Sequence, residues 1–561
     1  MIDSRWQFGS GIGFLRCIVL FLLLGSAISQ ISHIHAQQAS DAGSSKAPFA
    51  SEQVYVQPKL WPGVLLLQSG KMAEGEELPE VEKELLSAVL ARNAGRVLLV
   101  TDATTDAGLE RAGILSDQAS KVVRLTIAKW REQLDDAEAV KGWGDCAVIW
   151  IDADGAESDA LRNLESATHE RLVNCLKATL AQGGLVRVTG DLSWLGSDRE
   201  GNRDGLLANC SIEQSTEETD LVNSTIDAAD KPACVRLGLL DGVRCVLTNR
   251  QLVNLTKDQP VVVTLAATRH YATPLKESLK QRQSIDWVQW QRALLERERP
   301  HFPGTDRTEH ILAGGSLVIG GGGGMPEEVW KRFVELAGGA NARIVILPTA
   351  VEDPSAEPSF EARVMKQAGA EHTVTLPQIA RDEVEEAAFL AELDRATGVW
   401  FGGGRQWRFV DAYWGTAAWT RLLDVCKRGG VIGGSSAGAT IQGDLLVRGA
   451  PAGNQIMIAE GYRRGLGLLP GVAIDQHFAQ RNRFKELEGC LAAYPSICGV
   501  GIDEQTALVV TGAKRCEVIG VGSAWLYPSY EVSASRTAEA ATRAAMRKEF
   551  KSGSVFELDA N

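Results

Sequence analysis

The sequence predicts an α/β protein built on mainly parallel β-sheets, and three observations support this fold class. First, short apolar runs alternate with longer helical segments from about residue 60 onward, which is typical of parallel strands joined by crossover helices. Second, glycine-rich turns follow several of these runs, as expected where a strand gives way to a helix. Third, the two halves of the chain resemble each other, which indicates two domains of one kind.

Eight apolar runs are predicted to form buried strands, four in each half. They lie at 64–67, 96–100, 147–151 and 185–188, and at 317–319, 343–347, 398–401 and 431–432. A chain of 561 residues is too long for one ordinary core, because a domain typically holds about 150 residues. We therefore expect an N-terminal α/β domain at 56–285, a linker at 286–310 around Pro300, and a second α/β domain at 311–561.

The N-terminus has the layout of a secretory signal. Arg5 and Arg16 precede an apolar run at 18–24, and small residues follow at 25–27. We expect a signal peptide at 1–36, cleaved after Ala27 or Ala36, then a polar linker at 37–55. An uncleaved anchor is the alternative, although the run is shorter than the roughly 20 residues a spanning helix needs. The expected location is secreted or periplasmic.

Composition narrows the classes of partner. Hydrophobic residues make up 45% of the chain and charged residues 23%, as in globular proteins. The formal net charge of −13 argues against nucleic acid as a partner. Of the ten cysteines, Cys17 lies in the signal, and the others show no zinc-ligand spacing. Cys490 and Cys498 could form a disulfide, whereas buried small hydrophobes are the expected state of most.

A serine turn is the most informative motif. Residues 433–439 read Gly-Gly-Ser-Ser-Ala-Gly-Ala after a predicted strand and before a helix. Its Gly-x-Ser-x-Gly pattern centres on Ser436 and fits a nucleophile elbow, where glycines permit a strained turn. The amide of Ala437 could then face an oxyanion. Ser435 is the alternative serine, expected to cap the helix.

A base and two acids follow in the chain. An apolar stretch ends in Asp475-Gln476-His477, and Asp503-Glu504 lies between two strand-like runs. A serine nucleophile needs a base, and the base needs an acid that holds its tautomer. The order serine, histidine, acid differs from that of α/β-hydrolases. Spacing alone does not separate the two neighbouring acids.

At these motifs the sequence resembles the cyanophycinase family of serine peptidases, over residues 311–561. Matching motifs also include glycine-rich loops at 320–324 and 402–406. The resemblance implies a flavodoxin-like sheet related to class I glutamine amidotransferases. It further implies a triad of Ser436, His477 and Glu504, with no metal or organic cofactor. Ala437 and Gly403 would then hold the oxyanion.

The resemblance also implies a peptide substrate with β-aspartyl links, such as cyanophycin. The residues that would line the substrate site are Gln406, Asp475, Gln476, Arg481 and Arg483. The two arginines could bind carboxylates or simply be surface charge. The chain departs from the family at Glu486, where a third arginine is expected, so cyanophycin itself is left open. A general aspartyl dipeptidase, a non-catalytic binding protein and a homo-oligomer also stay open.

Two further patterns concern the halves and the first glycine loop. Gly190 occupies the place of Ser436 when the runs at 183–186 and 429–432 are superposed, and Thr248 occupies that of His477 when 237–243 is matched to 466–472. The N-terminal half is thus predicted to be a degenerate copy without nucleophile or base; chance similarity of two α/β domains is the alternative. The loop at 320–324 lacks the residues of a nucleotide loop and is expected near the active site.

Overall fold

Two compact units make up the computed structural model, Val56–Arg299 and Pro300–Asn561. The structure describes residues 62–298 except 70–77, 93–95, 102–120, 135, 154–160, 162, 197–205, 208, 219–220, 222–233, 269–270 and 272. It also describes residue 302, and residues 314–558 except 356–358, 513 and 530–545. The predicted signal at 1–36 and the linker at 37–55 lie outside the described residues. Across the described ranges, no helix has the length and apolar character needed to cross a bilayer.

The N-terminal unit alternates strands and helices as predicted. Its strands are β1 Val64–Ser69, β2 Arg96–Thr101, β3 Lys121–Leu125, β4 Val148–Ala153, β5 Leu185–Gly190, β6 Cys210–Ser215, β7 Val235–Leu240, β8 Arg244–Thr248, β9 Gln251–Asn254, β10 Val261–Leu265, β11 Leu275–Leu279 and β12 Ser284–Asp286. Its helices are α1 Glu80–Arg92, α2 Ile127–Gln133, α3 Ala137–Gly144, α4 Ser166–Ala181 and α5 Trp287–Arg297, with a 3₁₀ turn at Ser193–Leu195. An eight-stranded sheet runs β12-β9-β8-β1-β5-β4-β2-β3, and a four-stranded sheet runs β11-β10-β7-β6.

Helix α5 corrects the predicted linker at 286–310. Asp286 caps the helix by accepting a hydrogen bond from the Gln289 amide. Trp287, Trp290 and Leu294 are buried in the core of the N-terminal unit. The sequence indicates a charged helical stretch that ends at Pro300, and that break places it in a connecting segment; in the structure its apolar face packs on a core as in other amphipathic helices. Residues 287–297 therefore belong to the N-terminal unit.

The C-terminal unit repeats this architecture. Its strands are β13 Ser316–Gly320, β14 Arg343–Leu347, β15 His372–Thr375, β16 Gly398–Phe401, β17 Val431–Ser435, β18 Gly443–Leu445, β19 Leu469–Gln476, β20 Cys498–Ile502, β21 Thr506–Thr511, β22 Arg515–Gly520, β23 Ser523–Tyr527, β24 Lys548–Lys551 and β25 Val555–Glu557. Its helices are α6 Glu327–Leu336, α7 Phe360–Gln367, α8 Arg381–Val384, α9 Ala387–Arg395, α10 Gln406–Tyr413, α11 Ala417–Lys427, α12 Ala437–Thr440 and α13 Phe484–Ala493, with a 3₁₀ turn at Gly339–Asn341. The sheets run β15-β14-β16-β17-β13-β21-β22-β25 and β18-β19-β20-β23-β24.

Both faces of the larger C-terminal sheet are covered. On one face, Ile344 and Val431 pack with Phe333 of α6. On the other, Val345 and Ile432 pack with residues of α9, α10 and α11. Because successive side chains of a strand point to opposite faces, continuous apolar strands fit a sheet between two helical layers. Five adjacent strands, β15 to β13 in the sheet order, are parallel, which confirms the predicted mainly parallel α/β fold.

The larger sheets of the two units have the same strand order. Read from one edge, β3-β2-β4-β5-β1-β8-β9-β12 matches β15-β14-β16-β17-β13-β21-β22-β25. The backbone bonds also repeat, because the Val64 amide donates to Gly184 as the Ser316 amide donates to Gly430. In this register Gly190 is the counterpart of Ser436.

The same register shows that Thr248 is not the counterpart of His477. Thr248 pairs with Val64 at the start of β1, whereas Gly190 pairs with Ser69 at its end. The two residues therefore lie at opposite ends of the strand. The sequence echo that suggested Thr248 is a pattern of leucines and glycines that many buried strands share, so it does not fix the pairing of Thr248 with β1.

The correct counterparts follow from the neighbouring strands. Arg244 lies opposite Gln68 as Ala507 lies opposite Gly320, so Asp241, three residues before Arg244, corresponds to Glu504. In the smaller sheets, β6 pairs with β7 as β19 pairs with β20, and the paired positions place Glu213-Gln214-Ser215 where Asp475-Gln476-His477 stands. The N-terminal unit thus has glycine, serine and aspartate at the three positions.

Candidate active site

Ser436 lies on a strained turn between β17 and α12. Its backbone has φ 57° and ψ −113°, a conformation that is costly for any residue except glycine. The flanking glycines allow the turn to be this tight, because a Cβ on Gly434 would lie 2.4 Å from the carbonyl oxygen of Gly438. Ser436 is the N-cap residue of α12, and its side chain makes no capping hydrogen bond. Ser435 ends β17, so the predicted capping role of Ser435 is wrong.

The structure brings the predicted serine, histidine and glutamate together. The Oγ atom of Ser436 is 3.0 Å from Nε2 of His477, and Nδ1 of His477 is 2.6 Å from Oε1 of Glu504. His477 follows β19 with a positive φ of 50°, which turns its ring out of the strand direction. A hydroxyl, an imidazole and a carboxylate linked in this order form the constellation of serine hydrolases.

Hydrogen bonds distinguish the two neighbouring acids. The carboxylate of Asp503 accepts bonds from the amides of Ala479 and Ser523 and from the indole of Trp525. It is therefore fully engaged in holding the loops. Glu504 instead faces the imidazole, and its own amide donates to Oε1 of Gln480. Of the two, only Glu504 is placed to orient His477.

The glycine loop at 321–324 forms a close-fitting wall against this relay. A Cβ added to Gly322 would lie 2.2 Å from Cε1 of His477, and one on Gly323 would lie 2.7 Å from Oε2 of Glu504. Both glycines also have positive φ values. The loop therefore lies beside the predicted active site, as expected, and its glycines allow the backbone to approach the two side chains.

The surroundings of His477 favour its neutral form. Burial lowers the pKa of His477 below its usual 6.5, the positive charges of Arg481 and Arg483 lower it further, and Glu504 opposes the shift. A neutral imidazole at pH 7 can accept a proton from a hydroxyl. The predicted oxyanion donors lie nearby: Ala437 begins α12, and a Cβ on Gly403 would lie 3.6 Å from that of Ser436.

The residues predicted to bind substrate fall into two groups. Gln406 is buried and donates to the carbonyl oxygen of Val447. Asp475 and Arg483 are buried and bonded to each other, with Arg483 also bonded to the carbonyl of Gln476. Each of these three buried side chains is therefore hydrogen-bonded to other groups of the protein.

Gln476 and Arg481 form the second group. The Oε1 atom of Gln476 is buried and has no hydrogen-bond partner in the described structure. Arg481 is exposed, and its charge acts on His477. A buried acceptor without a partner is costly, so a ligand that donates to Gln476 would remove a penalty. The paired-arginine prediction is therefore corrected to one exposed arginine.

Sequence reasoning missed Arg448, which completes the interior network. Arg448 donates two parallel bonds to Asp475 and another to Glu486. Burial opposes its charge, but the bonds with Asp475 and Glu486 outweigh burial and raise the pKa of Arg448. Glu486 thus pairs with an internal arginine. No local motif marks Arg448, because its partners lie 27 and 38 positions away in the chain.

Two further expectations concern cysteines and metal ligands. Cys490 and Cys498 are not joined by a disulfide bond in the structure. Among the residues that the structure describes, no group of three or more His, Cys, Asp or Glu side chains is arranged to hold a metal ion.

Comparison with known proteins identifies the family. Residues 311–518 match the model of Peptidase family S51. A cyanophycinase of Trichormus variabilis is 32% identical over 237 residues, which span 40% of this chain and 78% of the relative. A cyanophycinase of Geminocystis herdmanii is 32% identical over 221 residues, which span 38% of this chain and 80% of the relative. The chain belongs to the cyanophycinase-type peptidases of family S51, which makes it a serine-type peptidase.

A solved structure also aligns with part of the chain. A peptidase from an acI-B1 Actinobacterium is 19% identical and covers 45% of this chain and 100% of its own, with a TM-score of 0.33.

Proposed function

We propose that this peptidase is exported and hydrolyses β-aspartyl peptide links, in cyanophycin or a related aspartyl peptide. The observation that supports the mechanism best is the continuous relay from Ser436 through His477 to Glu504, with contacts of 3.0 and 2.6 Å. The relatives named cyanophycinase support the substrate class. The N-terminal signal pattern supports export.

In the first half-reaction His477 acts as the base. It takes the proton of Ser436 while the serine oxygen attacks the amide carbonyl, and Glu504 stabilises the imidazolium that forms. The amides of Ala437 and Gly403 hold the negative oxygen of the tetrahedral intermediate. His477 then protonates the departing amine, which leaves an acyl-enzyme on Ser436.

The second half-reaction uses the same groups. His477 takes a proton from a water molecule, the water oxygen attacks the ester, and Ser436 receives its proton back as the acid product leaves. Every step uses side chains and amides of the C-terminal unit. The strained Ser436 turn favours this chemistry because it holds the Oγ atom towards the imidazole rather than against the strand.

Substrate recognition is assigned to Arg481, whose side chain is exposed, and to Gln476, whose buried side-chain oxygen has no partner among the described residues. Arg481 provides an exposed guanidinium for a substrate carboxylate. Gln476 accepts a hydrogen bond from a substrate amide or amine, since its buried Oε1 atom lacks a partner. The backbone of a β-aspartyl unit carries both kinds of group.

A second candidate is a general dipeptidase that acts on short α- or β-aspartyl peptides. Arg483 is paired with Asp475, and Glu486 is paired with Arg448. The site therefore has one exposed arginine, Arg481, where the sequence had suggested two. A single cation suits a substrate with one carboxylate near the scissile bond. A polyaspartate backbone carries many more carboxyl groups.

Incubation of the purified chain with cyanophycin and a panel of α- and β-aspartyl dipeptides separates these candidates. Cleavage of the polymer supports the first proposal: free arginine marks hydrolysis of the β-aspartyl link itself, and intact β-aspartyl-arginine marks hydrolysis of the backbone link beside it. Cleavage of dipeptides alone supports the second. Failure to cleave any of them, by a protein that a serine reagent still modifies at Ser436, would exclude aspartyl peptides as substrates.

We further propose that the N-terminal unit is catalytically silent. It has Gly190 where Ser436 stands, and Ser215 where His477 stands. Phenylmethylsulfonyl fluoride should therefore modify the intact protein at Ser436, and peptide mass spectrometry should find no modified serine before Pro300. A modified N-terminal serine would contradict this assignment.

A further inference from the structure

Four charged side chains form a network beside the histidine turn. Asp475, at the end of β19, is fully buried. Its carboxylate accepts bonds from Arg448 and Arg483 at 3.0 Å each. Glu486 on α13 accepts a further bond from Arg448. We call these four residues the Asp475 network.

The charges of the Asp475 network balance only when Glu486 is included. Two guanidinium groups share the single carboxylate of Asp475, so these three residues together carry one net positive charge. Arg448 has a side-chain exposure of 2%, so water does little to stabilise an unbalanced charge there. Glu486 brings the four-residue total to zero.

The network ties together two segments of the active site. Arg483 donates to the carbonyl oxygen of Gln476, directly before His477. Arg448 donates to the carbonyl oxygen of Asn454, and Arg405, next to the predicted oxyanion loop, donates to the Asn454 side chain. His477 and Arg448 both have positive φ values. Surrounding contacts must hold these two costly conformations.

We propose that Glu486 is a positioning residue for the peptidase reaction, acting through Arg448 and Asp475 on the turn that carries His477. This inference rests on the proposed roles of Ser436 and His477. Glu486 does not touch the relay; it keeps Arg448 and Arg483 on Asp475, and these bonds fix the backbone at Gln476. Loss of its charge lets Arg448 shift, so the imidazole is held less well over Ser436.

The test compares Glu486→Gln, which keeps the shape and removes the charge, with Glu488→Gln as the matched control. Glu488 lies on the same helix and pairs with Arg547, outside the network. Two rates are measured for each folded protein: modification of Ser436 by phenylmethylsulfonyl fluoride, and hydrolysis of a β-aspartyl dipeptide. Thermal unfolding checks that each variant is folded at the assay temperature.

We expect Glu486→Gln to lower kcat and the modification rate about tenfold, because small misplacements of a base are costly. KM should change by less than about threefold, since no substrate contact is lost. Glu488→Gln should match the wild type. In an Arg448→Gln background, Glu486→Gln should cause no further loss, because it acts through Arg448.

The outcomes distinguish this inference from the function on which it rests. A wild-type protein that the reagent does not modify at Ser436 overturns both. A wild type that is modified, with Glu486→Gln reacting equally fast, overturns only the positioning role. A change in KM alone also overturns it, since that result would place Glu486 in contact with substrate. If Arg448→Gln does not fold, the modification rates of Glu486→Gln and Glu488→Gln decide.

Discussion

The two units place a tryptophan at the same point of their sheets and surround it differently. In the C-terminal unit Trp400 pairs across the strands with Gly433, and a Cβ there would lie 2.5 Å from the indole ring. In the N-terminal unit Trp150 pairs with Arg187, whose guanidinium carbon lies 4.2 Å over the ring. The position opposite the tryptophan is thus a glycine in the C-terminal unit and a buried arginine in the N-terminal unit.

The buried cation organises a polar interior in the N-terminal unit. Arg187 bonds to Glu82, Asp152 and Gln68. The C-terminal unit has Phe333 against Trp400 instead, with ring centroids 5.0 Å apart. Strand and crossover geometry accept either solution, because only the local volume and charge must balance.

The turn that follows the strand shows what the N-terminal unit kept and what it lost. Gly190 has a positive φ of 107°, as Ser436 has one of 57°. Gln214, the counterpart of Gln476, donates to the Gly190 carbonyl and to Ser69. The left-handed turn is therefore present in the N-terminal unit without a nucleophile. The glutamine whose Oε1 atom has no partner in the described C-terminal unit is hydrogen-bonded to the turn in the N-terminal unit.

The largest expected effect comes from the nucleophile that distinguishes the units. Ser436→Ala should lower kcat/KM for a β-aspartyl dipeptide by at least about 10³-fold, as for other triad serines. Ser435→Ala, the adjacent control, should retain most activity. Circular dichroism should show both variants folded. An active Ser436→Ala and an inactive Ser435→Ala would mean that the elbow is misassigned.

The second prediction concerns the buried cation of the N-terminal unit. Arg187→Met removes a partner from buried Glu82 and should destabilise the unit by about 3 kcal/mol. Hydrogen exchange should accelerate in peptides covering β1 and β5 and stay unchanged in those covering β17. Arg131→Met, an exposed arginine on α2, is the matched control. Unchanged exchange in Arg187→Met would show that the cation is dispensable there.

The third prediction tests whether the C-terminal site uses one arginine. Arg481→Gln should raise KM about tenfold with little change in kcat, because a charge-assisted bond to substrate is lost. Arg483→Gln should instead lower the melting temperature, since it breaks the buried bond with Asp475. If both variants changed only KM, Arg483 would contact substrate and the pairing with Asp475 would have to open on binding.

The strands, part of the candidate site and one match between the two units could be predicted from the sequence. The eight apolar runs form strands because continuous apolar segments are buried on both faces of a parallel sheet. Ser436 and His477 could be proposed because the serine turn and the histidine each carry a local motif, whereas the choice of Glu504 over Asp503 came from the family resemblance. Gly190 was matched correctly to Ser436 because paired glycines mark the start of both strands.

What could not be predicted depends on partners far away in the chain. Arg483 and Asp475 looked like substrate ligands until the fold brought Arg448 to them. Thr248 was misplaced because many buried strands share its leucine-rich pattern, and register is decided by pairing across strands. Residues 287–299 read as a helical stretch and were placed in the linker because Pro300 follows them; that the apolar face of this helix packs on the N-terminal core became visible only in the fold.

The smallest expected effect is a pH shift that tests the assignment of the base. Activity should rise with pH in a single step, the acid limb of the pH profile, because the proposed base His477 must lose its proton to act. Ser215, its counterpart in the N-terminal unit, does not titrate in this range. The limb should lie below pH 6.5, since burial and the charges of Arg481 and Arg483 lower the pKa of His477 more than Glu504 raises it. Arg481→Gln removes one of these positive charges, so the pKa of His477 should increase and the limb should move to higher pH. Because Arg481 is exposed, the shift should be small and should shrink with added salt. A limb that moves to lower pH in this variant would mean that another group titrates, and the pH dependence of kcat/KM at two salt concentrations decides the question.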